Sequence, residues 1–177
     1  MKTIYYGAAT LNGFIADENN SLEWLFQFDN GGEGAPDFDV FIRDIGAITM
    51  GSTTYMWLYE HLHKKTPVEA WPYKAPSWVF TTRQLPVFPH AEIHFVRGDV
   101  RPVYEQMSKA AADKNIWMMG GGELAGQFYD HGLLNEIILN IAPTTLATGA
   151  PLFPRRTHPP MRLKEVKNRN PFVCLLY

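Results

Sequence analysis

Three short runs in this chain carry residue types suited to holding a phosphate. In Ile116-Trp117-Met118-Met119-Gly120-Gly121-Gly122-Glu123-Leu124 an apolar stretch runs into three glycines and then into a helical pattern with Leu124, Ala125 and Phe128 on one side. Glycines let the backbone approach a ligand closely, and the start of the following helix offers unpaired N–H groups at the positive end of its dipole. A pyrophosphate suits such a turn; a sharp bend with tight helix packing is the other use of three glycines. Met50-Gly51-Ser52-Thr53-Thr54-Tyr55 is a second strand-to-helix turn, whose hydroxyls can cap the helix or bond a phosphate. Thr81-Thr82-Arg83 closes a third apolar run with two hydroxyls and a guanidinium, a combination suited to a 2′-phosphate. Set at one end of a parallel sheet, three such turns make a cleft.

Each turn needs a strand before it, and the hydrophobic pattern supplies one. Residues 2 to 10 read as a short strand stopped at Asn12-Gly13, and Asp17 to Pro36 as a polar loop carrying a short aromatic helix. Phe38, Phe41, Ile42 and Ile45 share one helix face, and Gly46 ends that pattern. Ala47 to Met50, Ser77 to Thr81, Glu92 to Val96 and Ile116 to Met119 read as strands. Pro102 to Asp113 reads as a helix capped by Asp99, with Val103, Met107 and Ala110 inward. After Gly132 the helical period stops. Glu136 to Ala142 is a strand, and Met161 to Lys167 with Pro171 to Tyr177 form a hairpin turning at Asn168-Arg169-Asn170. Alternating strands and helices imply a largely parallel sheet covered on both faces.

Composition narrows the function classes. The chain has 177 residues, 46% of them hydrophobic and 14% aromatic, enough for one core and one domain over 1–177. The aromatic surplus predicts a pocket lined partly by rings. A formal charge of -2 without runs of like charge gives no footprint for nucleic acid or a charged membrane surface. Apolar stretches fall short of a bilayer span, and a lone Cys174 with no secretory pattern points to the cytosol. His61-Leu62-His63 and His90 with His94 read as surface histidines, so no metal is expected. Cys174, among Phe172, Leu175 and Leu176, reads as a small core residue. Gly120, Gly122 and Ala125 satisfy a GxGxxG/A pattern. A Rossmann site, however, puts that pattern after the first strand with an acid about 20 residues on, where this chain has Asn140-Ile141-Ala142-Pro143.

Thr10-Leu11-Asn12-Gly13-Phe14-Ile15-Ala16, Met50 to Tyr55, Val79-Phe80-Thr81-Thr82, Gly120 to Leu124 and Gly149-Ala150-Pro151-Leu152-Phe153-Pro154 stand in an order and spacing that resembles the dihydrofolate reductase superfamily. The resemblance is greatest to the branch holding the C-terminal reductase domain of the bifunctional riboflavin-biosynthesis deaminase/reductase, and it spans Lys2 to Pro154. It implies a three-layer α/β fold: a mixed, mostly parallel central sheet, helices on both faces and a C-terminal antiparallel hairpin. It also implies NADPH as cofactor, with Gly51, Ser52, Thr53, Thr54 and Gly120, Gly121, Gly122, Glu123, Leu124 at the pyrophosphate and Thr81, Thr82, Arg83 at the 2′-phosphate. The loop from Asn12 to Ala16 flanks the nicotinamide; Asn12, Phe14 and Trp24 face the substrate, a small heterocycle or carbonyl compound of the 5-amino-6-(5-phosphoribosylamino)uracil type. A cytosolic homodimer is the implied assembly.

This chain departs from the family pattern at Ser52, where an arginine is common, and at Asn12-Gly13-Phe14, where Asp-Gly-Lys is usual. The arginine cluster for a ribose phosphate is missing between Asp37 and Gly46, where Arg43 stands alone. For the proton donor, Glu23 beside Trp24 is the first candidate, because apolar rings raise a carboxyl pKa toward the working pH; Asp17, Glu18, Asp37 and solvent are its rivals. Two other functions fit parts of the pattern. One is a nucleotide-binding protein without turnover, and the other a Rossmann-like dehydrogenase using NADH.

Overall fold

The computed structural model describes residues 1–28, 38–65 and 67–177. An eight-stranded sheet runs through the molecule. In chain order its strands are β1 (Thr3–Thr10), β3 (Ile45–Gly51), β4 (Ser77–Phe80), β5 (Ile93–Val96), β6 (Asn115–Gly120), β7 (Glu136–Ala142), β9 (Glu165–Arg169) and β10 (Phe172–Leu176). β2 (Phe14–Ala16) and β8 (Ala150–Pro151) pair separately as a short antiparallel ribbon. Spatial order in the large sheet is β5-β4-β3-β6-β1-β7-β10-β9. The pairs from β5 to β7 are parallel, and β10 and β9 close the sheet antiparallel. This is the three-layer architecture with the C-terminal antiparallel pair that the resemblance implies. A Rossmann sheet has the order 3-2-1-4-5-6, so the topology removes the dehydrogenase alternative.

Five helices accompany the sheet among the described residues: α1 (Glu23–Phe26), α2 (Phe38–Arg43), α3 (Ser52–His63), α4 (Val100–Ala111) and α5 (Gly122–Asp130). Val100, Val103, Met107 and Ala111 put a buried stripe of α4 on one face of the sheet, beside Leu124, Ala125 and Phe128 of α5. Tyr55, Leu58 and Leu62 of α3, with Phe38 and Phe41 of α2, cover the other face. Strands β3 and β6, sandwiched between both layers, are correspondingly apolar on both sides.

Some boundaries differ from those the sequence pattern predicts. The helix expected to include Ile45 ends at Arg43, because Ile45 opens β3 opposite Asn115 and is buried there; sheet pairing takes it from the helical period. α4 starts at Val100, earlier than the pattern suggests. Pro102 is tolerated in that first turn, where its missing N–H removes no intrahelical bond. The same helix stops at Ala111, before Asp113. β5 begins at Ile93. In the hairpin, Phe172 pairs with Arg169, which moves the turn from Asn168-Arg169-Asn170 to Asn170-Pro171.

Candidate functional site

Strands β3 and β6 are adjacent, and the chain leaves both at the same sheet edge directly into a helix. Gly51 is the N-cap of α3 and Gly121 the N-cap of α5, and neither helix has a side-chain cap. Their first N–H groups are therefore left for solvent or a ligand. Two glycines are needed for specific reasons. Gly121 has φ +88, and a Cβ on Gly122 would collide with the carbonyl oxygens of Pro151 and Leu152, so β8 lies directly against the start of α5.

A cavity of about 490 Å³ opens at this place. Thr53, Thr54 and Gly120 to Glu123 make one part of its lining, and Ile15, Ala16, Asn20, Leu22 and Leu25 make another. Tyr5, Gly7 and Ala8 of β1, Met119, Trp57 of α3, and Ala150, Pro151 and Pro154 complete it. At Gly7 a Cβ would meet no atom within 4 Å, so β1 contributes an open patch of backbone. The Tyr5 hydroxyl donates to Leu152 O at 3.1 Å, and burial pushes this phenol far above its ordinary range.

The third turn stands beside the second. Arg83 Nη2 donates to Ser52 Oγ at 3.0 Å, while Thr81 Oγ1 accepts from the Arg83 N–H at 3.0 Å. The parallel pairing of Gly51 with Phe80 sets these segments side by side, and Tyr55, buried in α3, adds a hydrogen bond from its hydroxyl to Pro86 O at 2.7 Å; burial pushes its pKa up to about 12. Ser52, Thr81, Thr82 and Arg83 lie outside the cavity wall, on the rim beyond the start of α3. Thr82 and Arg83 are exposed.

Other expected residues have different roles in the structure. Asn12 holds two loops together: its Oδ1 accepts from Thr10 Oγ1 at 2.9 Å and from Leu146 N at 3.2 Å, and its Nδ2 donates to Leu146 O at 2.7 Å. Phe14 is half-buried in β2, and the next residue, Ile15, is the one on the cavity. Trp24 is buried, with no hydrogen-bond partner for its indole N–H among the described residues, while Leu22 and Leu25 on either side of it line the wall. Glu23 is exposed and off the cavity wall, so the apolar surroundings expected around its carboxyl are not there. Asp17 Oδ1 accepts from the N–H groups of Asn19 and Ser21 and organises the loop; Glu18 is exposed, and Asp37 lies outside the described residues. Leu124 is buried in the core, and its contribution to the turn is its backbone.

One residue that the sequence reading did not single out ties the site together. Arg155 donates to both oxygens of Glu123, at 2.7 and 2.9 Å, and to Asp130 Oδ2 at 2.8 Å. That guanidinium holds the Glu123 carboxyl below the usual carboxylate range, so the only acid on the described cavity wall stays ionised. Its position directly after the Gly149 to Pro154 run was the available signal.

Comparison with known proteins identifies the family and the fold. The RibD C-terminal domain family matches residues 2–175. This chain belongs to that family. The uncharacterized protein YwjB of Bacillus subtilis is 31% identical over 177 residues, covering 99% of this chain and 97% of the relative. Among solved structures, a candidate riboflavin biosynthesis protein from Shewanella sp. PV-4 superposes with a TM-score of 0.81 at 21% identity, covering 100% of this chain and 98% of that one. The diaminohydroxyphosphoribosylaminopyrimidine deaminase/5-amino-6-(5-phosphoribosylamino)uracil reductase of Thermotoga maritima gives a TM-score of 0.67 at 16% identity, and the match spans 99% of this chain but 55% of that enzyme. The fold is thus that of the RibD C-terminal domain, with the same layering and the same closing strands.

Proposed function

We propose that this member of the RibD C-terminal domain family is an NADPH-dependent reductase of a small ring or carbonyl compound. The observation that carries the reading is the pair of uncapped helix starts, on neighbouring strands, at a single cavity. Oriented backbone N–H groups at two helix ends suit a diphosphate, which then supplies the missing caps. The donor set fits the rest of such a cofactor as well: Arg83 and Ser52 form a cationic, hydroxyl-bearing rim suited to a 2′-phosphate, and the open backbone at Gly7 accepts a flat ring.

When bound, the cofactor would supply the hydride. The chain's own task is then to hold that group, to orient the acceptor and to keep bulk water out. The apolar side chains of Leu22, Leu25 and Trp57 in the lining would help to exclude water. Glu123, ionised by Arg155, cannot donate a proton, and Glu23 stands in solvent, so the proton that completes the reduction comes from water. The protein works in the cytosol as a homodimer, using the β9–β10 end of the sheet, where Val166 and Val173 are exposed; sedimentation showing only a 20.2 kDa species excludes the dimer.

Isothermal calorimetry tests the central claim. One molecule of NADPH binds per chain, and NADH binds at least tenfold more weakly. Absence of heat with both nucleotides overturns it.

A further inference from the structure

The lining of the cavity is uneven in chemistry. Apart from its glycines and the Thr53 and Thr54 hydroxyls, it is largely carbon-rich, with Tyr5, Ile15, Leu22, Leu25, Trp57 and Met119. No Lys, Arg or His lies among the described residues that line the cavity. Its single charge, Glu123, is negative and already matched by Arg155. The sequence extends the pattern. Among the described residues from Thr3 to Ile42, the stretch that supplies β1, β2 and α1, there is no basic residue and there are four acidic ones, Asp17, Glu18, Glu23 and Asp39. An anionic substituent against this lining would lose water without gaining a counter-charge and would meet a field of its own sign. A flat neutral ring would lose little and gain contact with Trp57 and the leucines.

We infer that the substrate is an uncharged, planar ring compound bearing a carbonyl or imine, and that phosphorylated substrates are excluded; this rests on the reductase reading above. The contrast is with the Thermotoga enzyme, whose named reductase substrate carries a phosphoribosyl group. For a ketone the reaction balances simply. A C–H bond forms at the carbonyl carbon from the hydride released by NADPH. The π pair passes to oxygen, which takes a proton from water; the ketone is reduced to an alcohol and NADPH is oxidised to NADP⁺.

Isatin and isatin-5-sulfonate test the inference, since they share a flat dicarbonyl ring and differ by a sulfonate group that adds one negative charge, its bulk being controlled by the lysine variants below. Calorimetry is run on the full chain saturated with NADP⁺, beside a separate NADPH titration. The expected result is a Kd for isatin at least tenfold below that of the sulfonate, and NADPH oxidation with isatin alone. Equal affinities, tighter sulfonate binding, or no isatin binding by protein that binds NADPH overturns the substrate class. Failure of the NADPH titration instead overturns the reductase reading and leaves the isatin ratio measurable on the unliganded protein. Leu25→Lys, with Ile15→Lys as a second position should the first not fold by circular dichroism, places a cation on the apolar wall. Sulfonate affinity then rises at least fivefold while isatin affinity does not. No gain in a folded variant counts against the inference.

Discussion

Helices α3, α5 and α4 all begin where a parallel strand ends, yet their first turns are finished in opposite ways. At α4 the chain caps itself. The Asp99 carboxylate accepts from the Arg101 N–H at 2.9 Å, and the Arg101 guanidinium rests on the same carboxylate. At α3 and α5 the N-cap is glycine and no side chain takes that place. The difference follows position in the sheet. α4 leaves the edge strand β5, whereas α3 and α5 leave the neighbouring strands β3 and β6 at the cavity. Orphan N–H groups at a helix start need a partner, so a self-capped helix start is already satisfied, whereas an uncapped one is left to water or a ligand. What marks the site is the withheld cap, more than glycine as such.

The contrast can be broken by giving α3 the cap that α4 has. Gly51 has φ -83 and ψ 165, an ordinary N-cap conformation, and a Cβ there would meet nothing within 4 Å. Gly51→Asp should therefore fold without strain and gain a few tenths of a kcal/mol in urea unfolding. Its carboxylate would occupy and repel the anion position, and NADPH affinity should fall by about 100-fold, roughly 2.7 kcal/mol. A capped variant that binds NADPH normally would show that the diphosphate lies elsewhere. A smaller effect sharpens the division between the helix starts and the rim. Arg83→Ala removes the guanidinium beside Ser52, so the Kd for NADPH should rise about tenfold while that for NADH stays unchanged. Equal losses for both nucleotides would mean that Arg83 acts by fixing Ser52 and does not read the 2′-phosphate.

The parts legible in the sequence are those with local causes. β3 and β6 are buried on both faces, so their apolar runs stand out, and the glycine turns that follow them mark the sheet edge. The Asp99 cap is legible for the same reason, since its partner is two residues away. The illegible parts depend on distant segments. Asn12 closes on Leu146, 134 positions along the chain, and no local pattern reveals that its amide is already occupied. Arg155 reaches Glu123 across 32 positions. Around α1 the signal was present but easily misassigned: Leu22 and Leu25, three apart, share the cavity side, while Trp24 turns into the core and Glu23 into solvent. Proximity to a tryptophan in sequence therefore placed no ring against that carboxyl.

The smallest effect lies on the other side of the comparison. Hydrogen bonds from Arg101 hold the Asp99 carboxyl well below its ordinary range. A group whose folded-state pKa is depressed contributes stability above its unfolded value, about 3.9 for Asp, and loses it as pH falls toward the folded value. Asp99→Ala should thus lower the melting temperature by a few degrees at pH 7, and the gap to the parent protein should close progressively below about pH 4. Because the carboxylate is exposed, solvent screening keeps the effect small. NADPH affinity should stay within about twofold of the parent value, since α4 starts away from the cavity. Loss of affinity on the scale expected for Gly51→Asp would make the α4 cap part of the binding machinery, and the distinction between capped and uncapped helix starts would no longer separate structure from site.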